Sequence, residues 1–101
     1  MVGLPIHTNA RAERDLIDIW THIAFDSPAA ADRLLDRIQQ SWQRLSAHPH
    51  SGADRGDLSL GLRSVRYAAY LSFYRVLADE VVVLRVLHGK RFIIPDDIPK
   101  L

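Results

Sequence analysis

Asp26-Ser27-Pro28 splits the first half of the chain into two runs of helical periodicity, and that break dictates how the half folds. Ser27 is a natural helix N-cap, and Pro28 suits the first helical position, where an amide hydrogen would have had no partner. Before the break, across residues 10–25, Ala12, Leu16, Ile19, Trp20 and Ile23 recur at the spacing of one helix face, with Arg11, Arg14, Asp15, Asp18 and Thr21 on the others. After it, Ala31, Leu34, Leu35, Ile38, Trp42 and Leu45 mark one continuous stripe of about five turns. The stripe ends before Pro49, which disfavours helical geometry at His48. With so short a link, the two helices are expected to form an antiparallel hairpin.

Beyond His48 the period changes. Residues 48–57 are polar and carry Pro49, Gly52 and Gly56, the composition of a loop. Leu58, Leu60 and Leu62 then alternate with polar or glycine positions, residues 70–77 are dense in Tyr, Phe, Leu and Val, and Val81 to Leu87 is apolar except for Arg85. These predict three strands, the last two joined by a tight turn at Ala78-Asp79-Glu80 and the last of them central. Val2, Leu4 and Ile6 also alternate, and Pro5 directs that first strand to a sheet edge. The predicted architecture is α+β: an N-terminal strand, an antiparallel helical hairpin, then a three-stranded antiparallel sheet. At 101 residues it is read as one domain over 1–101.

Charge is sorted along this order. Between residues 61 and 91, Arg63, Arg66, Arg75, Arg85, Lys90 and Arg91 face only Asp79 and Glu80, whereas the first 51 residues carry five Arg against Glu13, Asp15, Asp18, Asp26, Asp32 and Asp36. A basic sheet behind an amphipathic hairpin points to an anionic partner, either a nucleic acid or an acidic protein segment. Arg85 is the exception that needs explaining, since an arginine within an apolar strand is costly unless paired or solvated. It is either held by Asp79, Glu80 or a carbonyl, or offered to a ligand. Arg63 and the Lys90-Arg91 pair stand at strand ends, where a ligand approaches most easily.

Other chemistries find little support. The apolar share of 48% fits a folded protein, no run reaches the ~18 apolar residues needed to span a bilayer, and no signal peptide is recognisable, so the expected compartment is the cytoplasm, away from membranes. With no cysteine there are no disulfides, thiol nucleophiles or thiolate metal sites. His7, His22, His48, His50 and His88 lack the spacing of a zinc set, so no metal or other cofactor is expected. No serine sits in a nucleophile elbow and no glycine-rich phosphate loop occurs. Glu13, Asp15 and Asp18 are read as a solvated face pairing with Arg11 and Arg14. Trp20, Phe25, Trp42 and Leu45 are read as core, or, if a tryptophan is partly exposed, as a groove for an amphipathic peptide.

Several segments also carry a family resemblance. They are Asp15-Leu16 to Ile19-Trp20 and Ile23-Ala24, Ser27-Pro28-Ala29-Ala30, Leu45 to His48-Pro49 with Gly52, Gly61-Leu62-Arg63-Ser64, Tyr70-Leu71 to Tyr74-Arg75, and Val83 through Arg91. In their order and spacing over residues 10–92 they resemble the ParE branch of the ParE/RelE toxin superfamily of type II toxin-antitoxin modules. The resemblance implies a small bacterial toxin in a hetero-oligomer with a cognate antitoxin, ParD-like or another small one, whose C-terminal segment wraps the hairpin and sheet. ParE-like members poison DNA gyrase without being enzymes, whereas RelE-like members cut mRNA on the ribosome. A gyrase-directed toxin is expected to use Arg63, Arg66, Arg85, Lys90, Arg91 and Phe92 toward its target, and Trp20, Phe25, Leu34, Ile38, Trp42 and Tyr74 toward the antitoxin. The alternative, an mRNA interferase, would draw on Arg63, His88, Lys90 and Arg91. RNA cleavage needs a base, cations and an acid together. Phe92-Ile93-Ile94-Pro95-Asp96-Asp97 stands where nuclease members add a tyrosine or histidine, and the loop before the sheet has no lysine or glutamate. A third possibility is an inactive remnant or plain interaction module.

Overall fold

The computed structural model describes residues 3–100, arranged as a helical hairpin on one face of a sheet and a turn plus the C-terminal segment on the other. β1 (Ile6–Thr8) leads into α1 (Ala10–Ala24), whose first turn is capped by Asn9 Oδ1 accepting from the Ala12 amide at 2.9 Å. α2 (Pro28–Ser41) begins as its sequence predicts, with the Ser27 hydroxyl oxygen accepting from the Ala30 amide at 3.2 Å and Pro28 in the first turn. The second helix is not continuous. It tightens at Trp42 and resumes as a short α3 (Gln43–Ala47). The buried Trp42 ring sends its Nε1 to Ser72 Oγ at 2.8 Å, and the Ser41 hydroxyl bonds back to the Ile38 carbonyl, a local contact that bends helices.

The sheet has the order β1-β5-β4-β3-β2, with β1 parallel to β5 and every other pairing antiparallel. β1 lies at the edge, as Pro5 requires; Val2 falls outside the described residues. β4 (Tyr70–Val76) and β5 (Val81–His88) are two of the three expected strands, while β3 (Arg63–Tyr67) begins just after the segment expected to form the other, and a two-residue β2 (Ala53–Asp54) joins them at the far edge. The expected strand at Leu58, Leu60 and Leu62 is instead a turn. Leu58 and Leu62 point into the core, Leu60 is 91% exposed, and Arg75 holds the turn by donating to the Leu60 carbonyl at 2.6 Å. Alternating leucines there serve two bends of a turn, not one sheet face.

β5 breaks its own alternation, and this places Arg85. Phe73 lies opposite Arg85 while the next residue, Tyr74, lies opposite Val83, so β5 carries an extra residue at a bulge. Val81, Val83 and Val86 therefore join the helix-side core with Leu16, Ile38, Trp42, Leu45 and Tyr74. Val82, Leu84 and Leu87 join a second core with Leu58, Leu62, Phe73 and Ile98. Each set steps by three residues across the bulge instead of two. Among the described residues, no helix is long and apolar enough to cross a membrane.

Candidate functional site

The β3–β4 turn and the exit of β5 meet at one end of the sheet and form a tip. Tyr70 lies opposite His88, its ring edge-on to the imidazole at 5.3 Å, and the Gly89 amide donates to the Ala69 carbonyl at 2.6 Å. Ala68 takes a φ of 53° to close the two-residue turn, a conformation an L side chain adopts at a cost. Arg66 donates to the Ala68 carbonyl at a long 3.4 Å and lies across the neighbouring bend so closely that a Cβ on Gly89 would approach its Nη2 to 2.9 Å. Beyond Gly89, Lys90 is exposed without an ion pair among the described residues, and Phe92 is 88% exposed. Arg66, Lys90 and Phe92 thus stand together on the tip with Tyr67 and His88. This is the part of the basic sheet open to a partner.

The other candidate cations are already engaged by the chain. Arg85 is buried and does not reach a target. Its Nε and Nη2 meet the Asp15 carboxylate at 2.7 and 3.1 Å, and its Nη1 donates to the Asp97 carbonyl at 2.7 Å. Asp15 in turn is no member of a solvated face. It is 5% exposed, accepts also from the Val86 amide at 2.9 Å, and lies 3.3 Å from Arg11 Nη1. The expected carboxylates Asp79 and Glu80 play no part in this pair, although the expected carbonyl does. α1 thereby covers the edge of β5 beyond the short β1, where the Val86 amide would have lacked a partner.

Arg63 turns toward the loop before the sheet and donates to the His50 and Gly52 carbonyls at 3.1 and 2.8 Å. The buried Tyr74 hydroxyl reinforces that loop by donating to the Pro49 carbonyl at 2.7 Å and accepting from the Gly52 amide at 3.0 Å. Its pKa is pushed up by burial. Arg91 pairs with Asp97 at 2.9 Å. The Asp97 carboxyl is held below the usual carboxylate range first by the Ile94 amide and then by the charges of Arg91 and Arg85. Asp97 is the residue of the tip that sequence reasoning passed over; an acidic pair closely following Lys90-Arg91 was its only signal.

On the hairpin, Phe25 is 92% exposed, Trp20 is partly exposed with its Nε1 on Asp32 Oδ1 at 2.8 Å, and Leu34 is half-buried. Ile17, 58% exposed on α1, joins them without having been singled out by its pattern. Ile38, Trp42 and Tyr74 are core residues and leave no surface for a partner. His48 and His50 line a cleft of about 600 Å³ with Arg44, Pro49 and Ser51. Among the described residues no three His, Asp or Glu side chains gather as a metal set.

A family model, the ParE toxin of the type II toxin-antitoxin system parDE, matches residues 6–92. The chain belongs to the ParE toxin family. Toxin ParE3 of Caulobacter vibrioides is 42% identical over 60 residues, which cover 59% of this chain and 60% of that protein. Toxin ParE1 of the same organism is 33% identical over 86 residues, covering 83% of this chain and 88% of that protein. Toxin RelE3, also from C. vibrioides, is 32% identical over 83% of the chain. Among solved structures, the chromosomal ParDE system of P. aeruginosa superposes with a TM-score of 0.74 at 21% identity, over 86% of this chain and 97% of that one. The toxin-antitoxin complex RelBE2 of Mycobacterium tuberculosis gives 0.57 at 25% identity, over 86% and 99%. The ParE fold thus frames two surfaces: a basic, aromatic tip on the sheet and an apolar strip on the outside of the hairpin.

Proposed function

We propose that this ParE-family toxin inhibits DNA gyrase by direct, non-catalytic binding through the sheet tip, and that a cognate antitoxin neutralises it by covering the exposed strip of the helical hairpin. The observation that carries this reading is the separation of Arg63 from the other nuclease candidates. Arg63 lies opposite Tyr74 and His88 opposite Tyr70, four positions apart along β4, or about 13 Å at ~3.3 Å per residue. A base and a cation acting on one phosphate must both stand within hydrogen-bond reach of it. Arg63 is also tied to two carbonyls and Arg91 to Asp97, so neither guanidinium is free to meet a developing phosphorane charge. The tip instead offers what a protein interface uses, an exposed aromatic side chain flanked by cations. Antitoxin binding is supported by the solved relatives, which are described as a ParDE toxin-antitoxin system and a toxin-antitoxin complex.

The deciding assay is DNA supercoiling by purified gyrase. The chain is expected to block it near stoichiometric ratio and to leave ribosome-bound transcripts uncut. Unimpaired supercoiling at excess toxin counts against the target, transcript cleavage turns the reading to an interferase, and unrestrained growth on expression without antitoxin turns it to an inactive module.

A further inference from the structure

The tip's exposed phenylalanine, Phe92, sits on a loop that is fastened on both sides. On the strand side, Gly89 bonds to Ala69, the Lys90 amide donates to His88 Nδ1 at 3.1 Å, and the Arg91 amide donates to the His88 carbonyl at 3.0 Å. On the other side Ile93 packs against the second core, and one residue makes the polar attachment. Asp97 Oδ1 accepts from Arg91 Nη2 at 2.9 Å, Oδ2 accepts from the Ile94 amide at 2.9 Å, and its own amide donates to the Ile94 carbonyl at 2.9 Å. Asp97 is itself moored, because its carbonyl takes the bond from Arg85 and the next residue, Ile98, is buried in the second core. Phe92 lies between the two clamped positions Arg91 and Ile94 with its ring almost wholly in water. A lone exposed phenylalanine is ordinary. One held on a loop whose backbone is clamped by a moored carboxylate has little backbone freedom left to lose when it enters a partner, and that is the property of an anchor residue.

We propose that Phe92 is a preformed knob that inserts into an apolar pocket with an acidic rim on the target protein, and that Asp97 is the positioning residue that holds the knob in its binding conformation. The acidic rim follows from Lys90 and Arg66, which share the tip with Phe92 and approach the same partner surface. This rests on the reading that the tip faces the target. Asp97 touches no partner and acts through Phe92.

The test is a double-mutant cycle on purified full-length protein, with gyrase binding, growth arrest and amide exchange of the free toxin as separate readouts. Phe92→Ala is expected to weaken gyrase binding by about thirtyfold, the scale of an interface anchor, and to abolish growth arrest, with the melting temperature unchanged because the ring is exposed. Asp97→Ala is expected to speed exchange of the Ile94 amide severalfold and to weaken binding, yet to add nothing once Phe92 is already Ala. A purely structural Asp97 gives additive losses instead, which overturns the positioning role. An Ile94 amide that exchanges at the parent rate in Asp97→Ala overturns the clamp. Growth arrest that survives Phe92→Ala overturns the knob. If the parent protein ignores gyrase, the proposed target fails, while amide exchange still decides the clamp and growth arrest still decides the knob.

Discussion

At the scale of single residues, the ion pair between Arg85 and Asp15 explains more of the molecule than any other contact. Each charge is desolvated, and each is matched by further hydrogen bonds, to the Asp97 carbonyl on one side and the Val86 amide on the other. Removing Asp15 strands the buried guanidinium, so Asp15→Ala should destabilise the protein by about 3–5 kcal/mol in chemical denaturation, whereas Arg85→Ala leaves Asp15 with Arg11 and the Val86 amide and should cost less. A loss below about 1 kcal/mol in Asp15→Ala would mean that the pair behaves as a surface bridge. That Arg85 needed a partner was legible from its apolar strand. Which partner it took was not, because Asp15 lies 70 residues earlier in a stretch that reads as an ordinary solvated helix face. Asp97 supplies a pH-dependent counterpart. Its folded carboxyl titrates below its unfolded value, so the unfolded chain binds the extra proton as pH falls and the stabilisation fades. The contribution is complete above the ordinary aspartate pKa of about 3.9 and is lost as pH drops through the lower folded value. Denaturation midpoints followed from neutral pH into acid should fall less steeply in Asp97→Asn than in the parent; parallel curves would remove Asp97 from the acid transition.

Among the elements, the helical hairpin was the most readable part of the chain and the turns were the least. Ser27, Pro28 and the two apolar stripes are local signals, and α1 and α2 begin where those signals put them. The break at Trp42 left no trace in the apolar stripe, because it accompanies a polar back-bond from Ser41 and a bond from Trp42 to Ser72 on a strand thirty residues away. The turn at 58–62 imitated a strand, since its two inward leucines are spaced by four and therefore also fit period two. The β5 bulge was equally hidden: a strand buried on both faces shows no alternation to interrupt. The tightest element, the β3–β4 turn, yields its own prediction. Ala68 at φ 53° carries strain of about 1–2 kcal/mol, which exceeds the extra chain entropy of glycine, about 0.5–1 kcal/mol. Ala68→Gly should accordingly raise stability by about 0.5–1 kcal/mol, read as a higher denaturation midpoint at constant slope. A lower midpoint would show the turn to be unstrained.

For the whole molecule, a net charge of +1 conceals how unevenly the cations are available. Arg63, Arg75, Arg85 and Arg91 bind carbonyls or carboxylates of the chain itself, so the basic sheet inferred from sequence contracts to a tip where Lys90 and Phe92 remain open and the exposed Arg66 makes only a long, 3.4 Å bond to the Ala68 carbonyl. Fold class and family could be read from the order of periodicities and motifs. The division between structural and available cations could not, because it depends on contacts across the sheet. The exposed apolar strip on the hairpin lies on α1 and the α1–α2 turn, apart from the residues that form the tip. The two surfaces should therefore be separable by mutation. The most direct measurement is gyrase supercoiling run with Lys90→Ala/Phe92→Ala and with Phe25→Ala, each also titrated with the cognate antitoxin. The tip variant is predicted to lose gyrase inhibition while binding antitoxin like the parent, and the hairpin variant to inhibit gyrase normally while binding antitoxin more weakly. A tip variant that still stops supercoiling would contradict the account.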